Sequence, residues 1–451
     1  MAEGSGEELA RIARQVAESA KGSEQIDVMV SRGRSTSVRV YEGEVEAFTS
    51  AQSAGVGIRV IVDGRVGFAH AGSLEEEVVA ETLTAARDNV PFSEPDEWAG
   101  LAEPDGVEPV PQDQWDDAVL AMPAEDKIAR AVELERLARS LDERITGVRT
   151  AAWGDAHGTT AYAASNGIER VDRGTSASVG VQPLAVQGDE TQIGYGGHAA
   201  RGPDGVDDER AAREAVEKAT RLLGATQPKS ARVTMLLEPR LAATLLNIVA
   251  AMLNGESVVK GRSPFAGRVG EQIASPMLTL VDDPTRSESL AAESWDGEGL
   301  ACRRTALVEA GVLSGFLHNS YTARRMGARS TGSALRGARS LPGVGAQVLV
   351  VEPGSRSFEE LVSSIDHGLF VNSFAGLHSG VNPTSGDFSV GADGLLITGG
   401  ELGGPVREIT VASTIQRMLS DIAEVGGDAE WLPGGDFLAS LVIPDVSMSG
   451  A

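Results

Sequence analysis

Apolar positions recur every three or four residues from Glu7 to Ala20, where Leu9, Ile12, Ala13, Val16 and Ala20 share one side of a predicted helix. Strand-like runs follow at Ile26–Ser31, Ser37–Tyr41, Val45–Ala51 and Val56–Val62, and Asp63-Gly64 predicts a tight hairpin into Val66–Ala69. Ser73-Leu74-Glu75-Glu76 has capping-box character, with Glu76 expected to reach back to the Ser73 amide and open a helix to about Asn89. The stretch from Pro91 to Pro123 breaks this texture. It carries Pro91, Pro95, Pro104, Pro109, Pro111 and Pro123 among many acids and has no apolar period, so a surface connector wrapping the body is expected.

Ala124 to Leu141 returns to a helical pattern, with Ile128, Val132, Leu134, Leu137 and Leu141 available for one face. Strands are expected at Thr146–Ala152, Thr159–Ala164 and Ile168–Val181, with Asn166-Gly167 as a hairpin turn, then a helix from Asp207 to Leu223 ended by Gly224. Beyond Gln227-Pro228 the pattern changes again. Val233–Leu237 reads as a short strand, Pro239 suits a helix start, and Leu241–Leu253 is so apolar that burial around most of its circumference is expected. A hairpin at Thr305–Phe316 turning on Ala310-Gly311, strands near Ala346–Val351, Leu395–Ile397 and Glu408–Val411, and helices at Ser357–Ile365 and Thr414–Ala423 complete the pattern. The expected class is α+β. Residues 1–228 form a mixed sheet with covering helices, with a possible sub-boundary inside 91–123, and residues 229–451 form a strand-rich, largely antiparallel, barrel-like domain.

Composition sharpens this picture. Aromatics are only 4% of the 451 residues while Gly numbers 54, so the core must rest on Val, Leu, Ile and Ala in strands joined by Gly turns. Against 39 Lys and Arg stand 65 Asp and Glu, a formal charge of −26, which disfavours nucleic-acid and anionic-membrane partners. The single cysteine, Cys302, cannot make an internal disulfide and fits a reducing compartment. No apolar stretch reaches the roughly 18–20 residues of a bilayer span, and the first residues lack a leader pattern, so a soluble cytoplasmic protein is expected.

Candidate chemistry is sparse. His70, His157, His198, His318, His367 and His378 form no helical pair; His367 and His378 could meet across a hairpin, and Asp282-Asp283 could hold Mg²⁺ or form a solvated turn. Arg303 and Arg304 could lower the pKa of Cys302. Ser257-Val258-Val259-Lys260 matches the Ser/Lys arrangement of some acyl-transfer enzymes but lacks their companion motifs. Dinucleotide and phosphate loops are absent, and Gly399-Gly400-Glu401-Leu402-Gly403-Gly404 reads as a flexible hairpin connection. The marked local bias lies in Ala310–Val351, which contains no acid. Tyr321–Arg339 carries Arg324, Arg325, Arg329, Arg336 and Arg339 among glycines and hydroxyls. Such a segment suits a carboxylate, an acidic subunit face or an extended peptide, or is a solvated loop pairing with the chain's own acids; both readings stand.

Four blocks in this region resemble the TldD/PmbA family, whose PmbA kind is also called TldE. They are Gly255-Glu256-Ser257-Val258-Val259-Lys260-Gly261-Arg262-Ser263-Pro264-Phe265 with Gly270-Glu271-Gln272-Ile273, Ser320–Gly327 leading into Ser330-Thr331-Gly332, Ser385-Gly386-Asp387-Phe388-Ser389 with Gly391-Ala392, and Pro405–Ala412. The resemblance implies a soluble metallopeptidase of two kinds of subunit acting on unfolded or modified peptides. The TldD kind carries HExxxH on a helix and a C-terminal cysteine. Here the two histidine places are occupied by Asn247 and Met252 and the glutamate place by Ile248, and no cysteine stands near Pro433-Gly434-Gly435. The resemblance therefore implies a PmbA/TldE-like subunit inactive alone, with no cofactor of its own, zinc in a TldD-like partner, and a heterodimer that closes around an extended peptide. Lys260, Gly261, Ser263, Phe265, Arg324, Arg325, Arg329, Thr331 and Gly332 are the candidates for peptide or partner contact. Two rivals are an independent Ser257/Lys260 hydrolase and a non-catalytic protein-binding modulator, since family members have been described as modulators of DNA gyrase.

Overall fold

The structure, a computed structural model, describes residues 3–451, with side-chain surroundings from residue 6 onward. Its first sheet is made of long strands: β1 (Gln25–Tyr41), β2 (Glu44–Val62), β3 (Arg65–Ala71), β4 (Ile145–Ala164), β5 (Glu169–Gln187), β6 (Glu190–Ile193) and β7 (Gly196–Ala200). They pair antiparallel in the order β3-β2-β1-β4-β5-β6, with β7 also on β5, and curl into a half-barrel. The runs expected as pairs of short strands are continuous, because β1 finds backbone partners on both sides through its polar middle: Arg34 lies opposite Gln52 of β2 and His157 of β4. Ladder hydrogen bonds do not require apolar side chains, so the hydrophobic gaps at residues 32–36 and 52–55 break the pattern without breaking the strand. Asp63-Gly64 makes the expected turn, both residues at positive φ, as a two-residue hairpin loop demands.

Helices cover one face of this sheet in two separate groups. α1 (Glu3–Glu18) and α2 (Glu76–Asn89) bury Ile26, Val28 and Val30 of β1 at one end, with Leu9, Ala13 and Ala86 packed against them. α3 (Ala118–Ala121), α4 (Ala124–Ser140) and α5 (Asp208–Thr220) lie toward the other end, where Val38 and Val40 meet Leu134 and Ala215. The capping box expected at Ser73 does not form. The Ser73 hydroxyl instead accepts from the Glu75 amide at 3.2 Å and α2 begins at Glu76, a local turn having outcompeted the cap. The 91–123 segment has little regular structure and lies against the body, held where Asn166 Nδ2 and the Arg324 guanidinium donate to its carbonyls.

In the C-terminal half, β8 (Ala231–Leu237) pairs parallel with strand 367–375 and antiparallel with strand 441–449. Strands 387–398 and 401–414 continue from 367–375, and 401–414 returns to 441–449, closing a five-stranded barrel. α6 (Pro239–Met252) follows β8 and packs Leu245, Leu246 and Val249 into the largest core cluster. Pro239 stands in its first turn, as expected. Burial around most of the α6 circumference is not observed: Asn247 and Ala251 are exposed and Ala243 and Ile248 only half-buried, so the helix has an open stripe. The helix behind Ser357 has a complete capping box with Glu360.

The halves are joined by a buried ionic network. Asp27 of β1 accepts from Arg336 at 2.8 Å and Tyr162 at 3.3 Å and pairs with Arg59, which also faces Glu298 at 3.6 Å. Burial alone would push Asp27 up; the Arg336 and Arg59 guanidiniums outweigh it and hold it below the ordinary carboxylate value. The acid-free loop therefore spends Arg336 inside the molecule, where its side chain is fully buried.

Candidate functional site

The open stripe of α6 is where the family resemblance places catalytic groups. Asn247 donates to its own helix at Ala243 O and, at 3.0 Å, to the Asp436 carboxylate, whose other oxygen accepts from the Leu349 amide at 2.8 Å. The helix and the Pro433–Asp436 turn thus meet here. Ile248 offers only hydrocarbon to this stripe, and Met252, 1% exposed, points into the barrel core and not toward Asn247. An amide already bonded, an alkyl chain and a buried thioether do not supply the imidazole and carboxylate donors of a hydrolytic zinc centre. Among the described residues no group of three His, Cys, Asp or Glu side chains is placed to hold a metal ion.

Nucleophile geometry also fails where the sequence left it open. The Ser257 hydroxyl donates to Ala251 O at 3.0 Å, and Lys260 pairs with Glu256 on the surface, so lysine and serine are not coupled. Cys302 is buried against Gln347, and burial pushes its thiol far up. Arg303 turns instead to Asp105 and Ala301 O. His367 begins one barrel strand and His378 lies in the short helix beyond its other end, so they cannot meet. Asp282 does not stand in a solvated turn: it is fully buried, and one carboxylate oxygen accepts from the Gln347 and Val348 amides at 2.9 and 2.8 Å.

The nine candidate contact residues divide sharply. Lys260, Arg324 and Arg325 converge on one cavity of about 470 Å³, which also takes in Asp96, Asn319 and Tyr321. It is positioned by α7 (Gly255–Val259) and α8 (Ser320–Met326), capped by the Asn254 and Asn319 side chains respectively. Arg325 lies over the Tyr321 ring at 5.7 Å and donates to its hydroxyl at 3.0 Å, leaving a cationic, aromatic lip. Arg324 is less available. Its guanidinium donates to the carbonyls of Trp98, Leu101 and Gly100 at 2.8–3.0 Å, so it straps the connector to α8. Gly261 is exposed with positive φ and Arg329 is exposed; neither lines this cavity.

The remaining candidates are structural. Phe265 is fully buried in the main core, and Ser263 is buried, its hydroxyl accepting from the Phe265 amide. Thr331 closes the loop onto His318 through its hydroxyl and amide. Gly332 sits at positive φ, where a Cβ would fall 2.4 Å from Ala301 O. Sequence reasoning missed Asp27, Arg59 and Glu298. A signal existed for the first two, since each is a lone charge inside a strand of apolar residues, a pattern that calls for a buried partner. A second cavity, about 600 Å³, lies between the half-barrel and residues 290–297 and 334–338. Burial pushes its Glu293 and Asp296 up to about 7.

Three consecutive stretches of the chain match the PmbA/TldA metallopeptidase family: domain 1 over residues 26–90, the central domain over 117–223 and the C-terminal domain over 230–450. Metalloprotease PmbA of Escherichia coli O157:H7 is 27% identical over 435 residues, covering 95% of this chain and 93% of its own. Among solved structures, TldE from Thermococcus kodakarensis superposes with a TM-score of 0.87 at 27% identity, covering 98% of this chain and 99% of its own. A proposed modulator of DNA gyrase from Bacteroides thetaiotaomicron gives 0.88 at 26% identity, covering 99% of each.

Proposed function

The chain belongs to the PmbA/TldD metallopeptidase family, and we propose that it is the PmbA/TldE-like subunit of a TldD/TldE-type metalloprotease acting on unfolded or modified peptides. The observation that carries this reading is the donor set on α6. At the places where the metal-bearing kind has its ligands and base, this chain has Asn247, Met252 and Ile248, with Met252 turned into the core. The zinc and the general base would then come from a TldD-like partner chain. This chain's share would be to close the channel and hold the substrate. Arg325 at the lip of this cavity suits a peptide carboxylate or an acidic face of the partner, Lys260 being already paired with Glu256, and the edge strands of the half-barrel suit an extended backbone.

The test is to purify the chain alone and after co-expression with a TldD-like subunit, then measure bound metal by mass spectrometry and hydrolysis of an unfolded peptide. The expected result is stoichiometric complex formation, with metal and activity only in the pair. Stoichiometric zinc and peptidase activity in the lone chain would overturn the assignment. A second reading follows from the description of the Bacteroides protein as a proposed gyrase modulator. A formal charge of −26 is compatible with capture of a basic protein surface. Stable co-purification with gyrase, together with no hydrolysis in any pairing, would favour it.

A further inference from the structure

The two helical groups on the half-barrel leave a gap between α1 and the α3–α4 corner, and a cavity of about 670 Å³ occupies it. Its floor is the polar middle of β1 and β4. Arg34 and His157, directly opposite each other across the ladder, both line it. Phe48 forms one wall at 44% exposed, and Trp115, Leu120 and Met122 form the other. Trp115 stands edge-on to His157 with ring centres 6.1 Å apart. Such a cavity combines an apolar body with a few convergent polar groups, as small-ligand sites do.

Its charges are unevenly settled. Arg32 is neutralised by Glu8 and Lys127 by Asp155, each at 2.8 Å. Arg34 donates through Nε to the Ser50 hydroxyl at 3.1 Å, but among the described residues no carboxylate lies within ion-pair distance of it. In a chain with 65 acids and 39 bases, an arginine left over in a concave site is a position where an anion gains most. The 17-residue α4 also begins here. Ala124 and Lys127 line the cavity and Pro123 gives the helix no side-chain cap, but Glu125 and Asp126 in its first turn offset the positive end of the dipole, so the charge open to an anion here is that of Arg34.

We propose that this cavity binds a carboxylate attached to an apolar or aromatic body, with the carboxylate on Arg34 and the body between Phe48 and Trp115. One unpaired guanidinium balances one negative charge, which suits a carboxylate better than a dianionic phosphate. The chemistry is shared by the C-terminal residue of a peptide and by a free aromatic acid. The site lies across the sheet from α6, whose Arg240 lines a different cavity with Ala152 and Gly154 of the opposite face. It therefore stands independently of the peptidase reading.

Calorimetric titration of the full chain with the peptide Ala-Ala-Phe, its C-terminal amide, and 3-phenylpropanoate tests the assignment. Saturable binding of the free acids is expected, weakened at least tenfold by amidation and by Arg34→Gln, and weakened by Phe48→Ser. Arg39→Gln removes a charge that pairs with Glu46 further along the same strand, and should leave binding within twofold. Peptide binding tenfold tighter than phenylpropanoate assigns the site to a chain end; equal binding assigns it to a free acid. Equal binding of acid and amide, an unchanged affinity in a folded Arg34→Gln protein, or no binding of any probe would overturn the proposal.

Discussion

Asp27 and Asp282 are both fully buried carboxylates, and their neighbours drive them in opposite directions. Burial would raise both, but Asp27 has Arg336 and Arg59 against it, whereas Asp282 has only the Val348 and Gln347 amides and reaches about 7. An unfolded aspartate titrates near ~4. Between there and about 7 the native state binds a proton at Asp282 that the unfolded chain has released, so stability falls as pH rises through this window. Glu293 and Asp296, also pushed to about 7, act with the same sign. The melting temperature should drop between pH 5 and pH 7 in calorimetric scans. Asp282→Asn, which keeps the oxygen that accepts both amides, should flatten part of that drop. Asp27 contributes the reverse: its stabilisation is present above ~4 and is lost as pH falls through its lowered native value. At His157, burial and then the Arg34 charge hold the imidazole below its usual value. Arg34→Gln should move that titration upward, read from the ring-proton shifts by NMR, because removing a neighbouring positive charge favours imidazolium.

At the scale of elements, α6 shows how much periodicity can reveal. Its near-continuous apolar run and the proline at its start were legible in the residues, and Leu245, Leu246 and Val249 are buried as that run requires. Which stripe stays open was not legible, since nothing in the run distinguishes Ala243 and Ala251 from their buried neighbours until the barrel is closed around them. Leu246→Ala should cost about 2–5 kcal/mol in urea unfolding, the range for emptying a core leucine site. Asn247→Ala should cost only about 1 kcal/mol, since a partly exposed amide bond is lost and solvent can reach Asp436. The arginine-rich segment splits similarly. Arg325 remains at the cavity lip, but Arg324 is consumed by three carbonyls of the connector, a contact across more than 220 residues that no local pattern encodes. Arg324→Ala should free that strap and speed proteolytic cleavage near residues 98–101, with α8 otherwise retained.

Over the whole molecule, the most deeply buried ion pairs between the half-barrel and the C-terminal half are those of Asp27, Arg59, Glu298 and Arg336, flanked by the apolar cluster of Met29, Tyr162, Trp295 and Leu300, while pairs such as Lys218–Glu238 and Arg407–Glu190 add more exposed links. Arg336→Met would leave Asp27 short of one of its two cations in a dry site. It should cost about 3 kcal/mol, at the lower end for a broken buried pair, measured as a shift in the urea midpoint. The same junction borders the two cavities that take in Lys260 and Glu293, so a weakened junction should alter any ligand affinity measured there.

Local patterning was enough to establish the α+β class, the helix start at Pro239 and the turn at Asp63-Gly64, because these depend on residue identity and near-neighbour spacing; of the expected Gly399–Gly404 connection only Gly399-Gly400 turns, and 401–404 form the start of the next strand. Strand length, the closure of the barrel, the burial of Phe265 and Arg336, and the fate of each arginine were decided by long-range pairing. A side chain's exposure and its charge partner are properties of what folds against it, and in this chain those partners lie tens to hundreds of residues away.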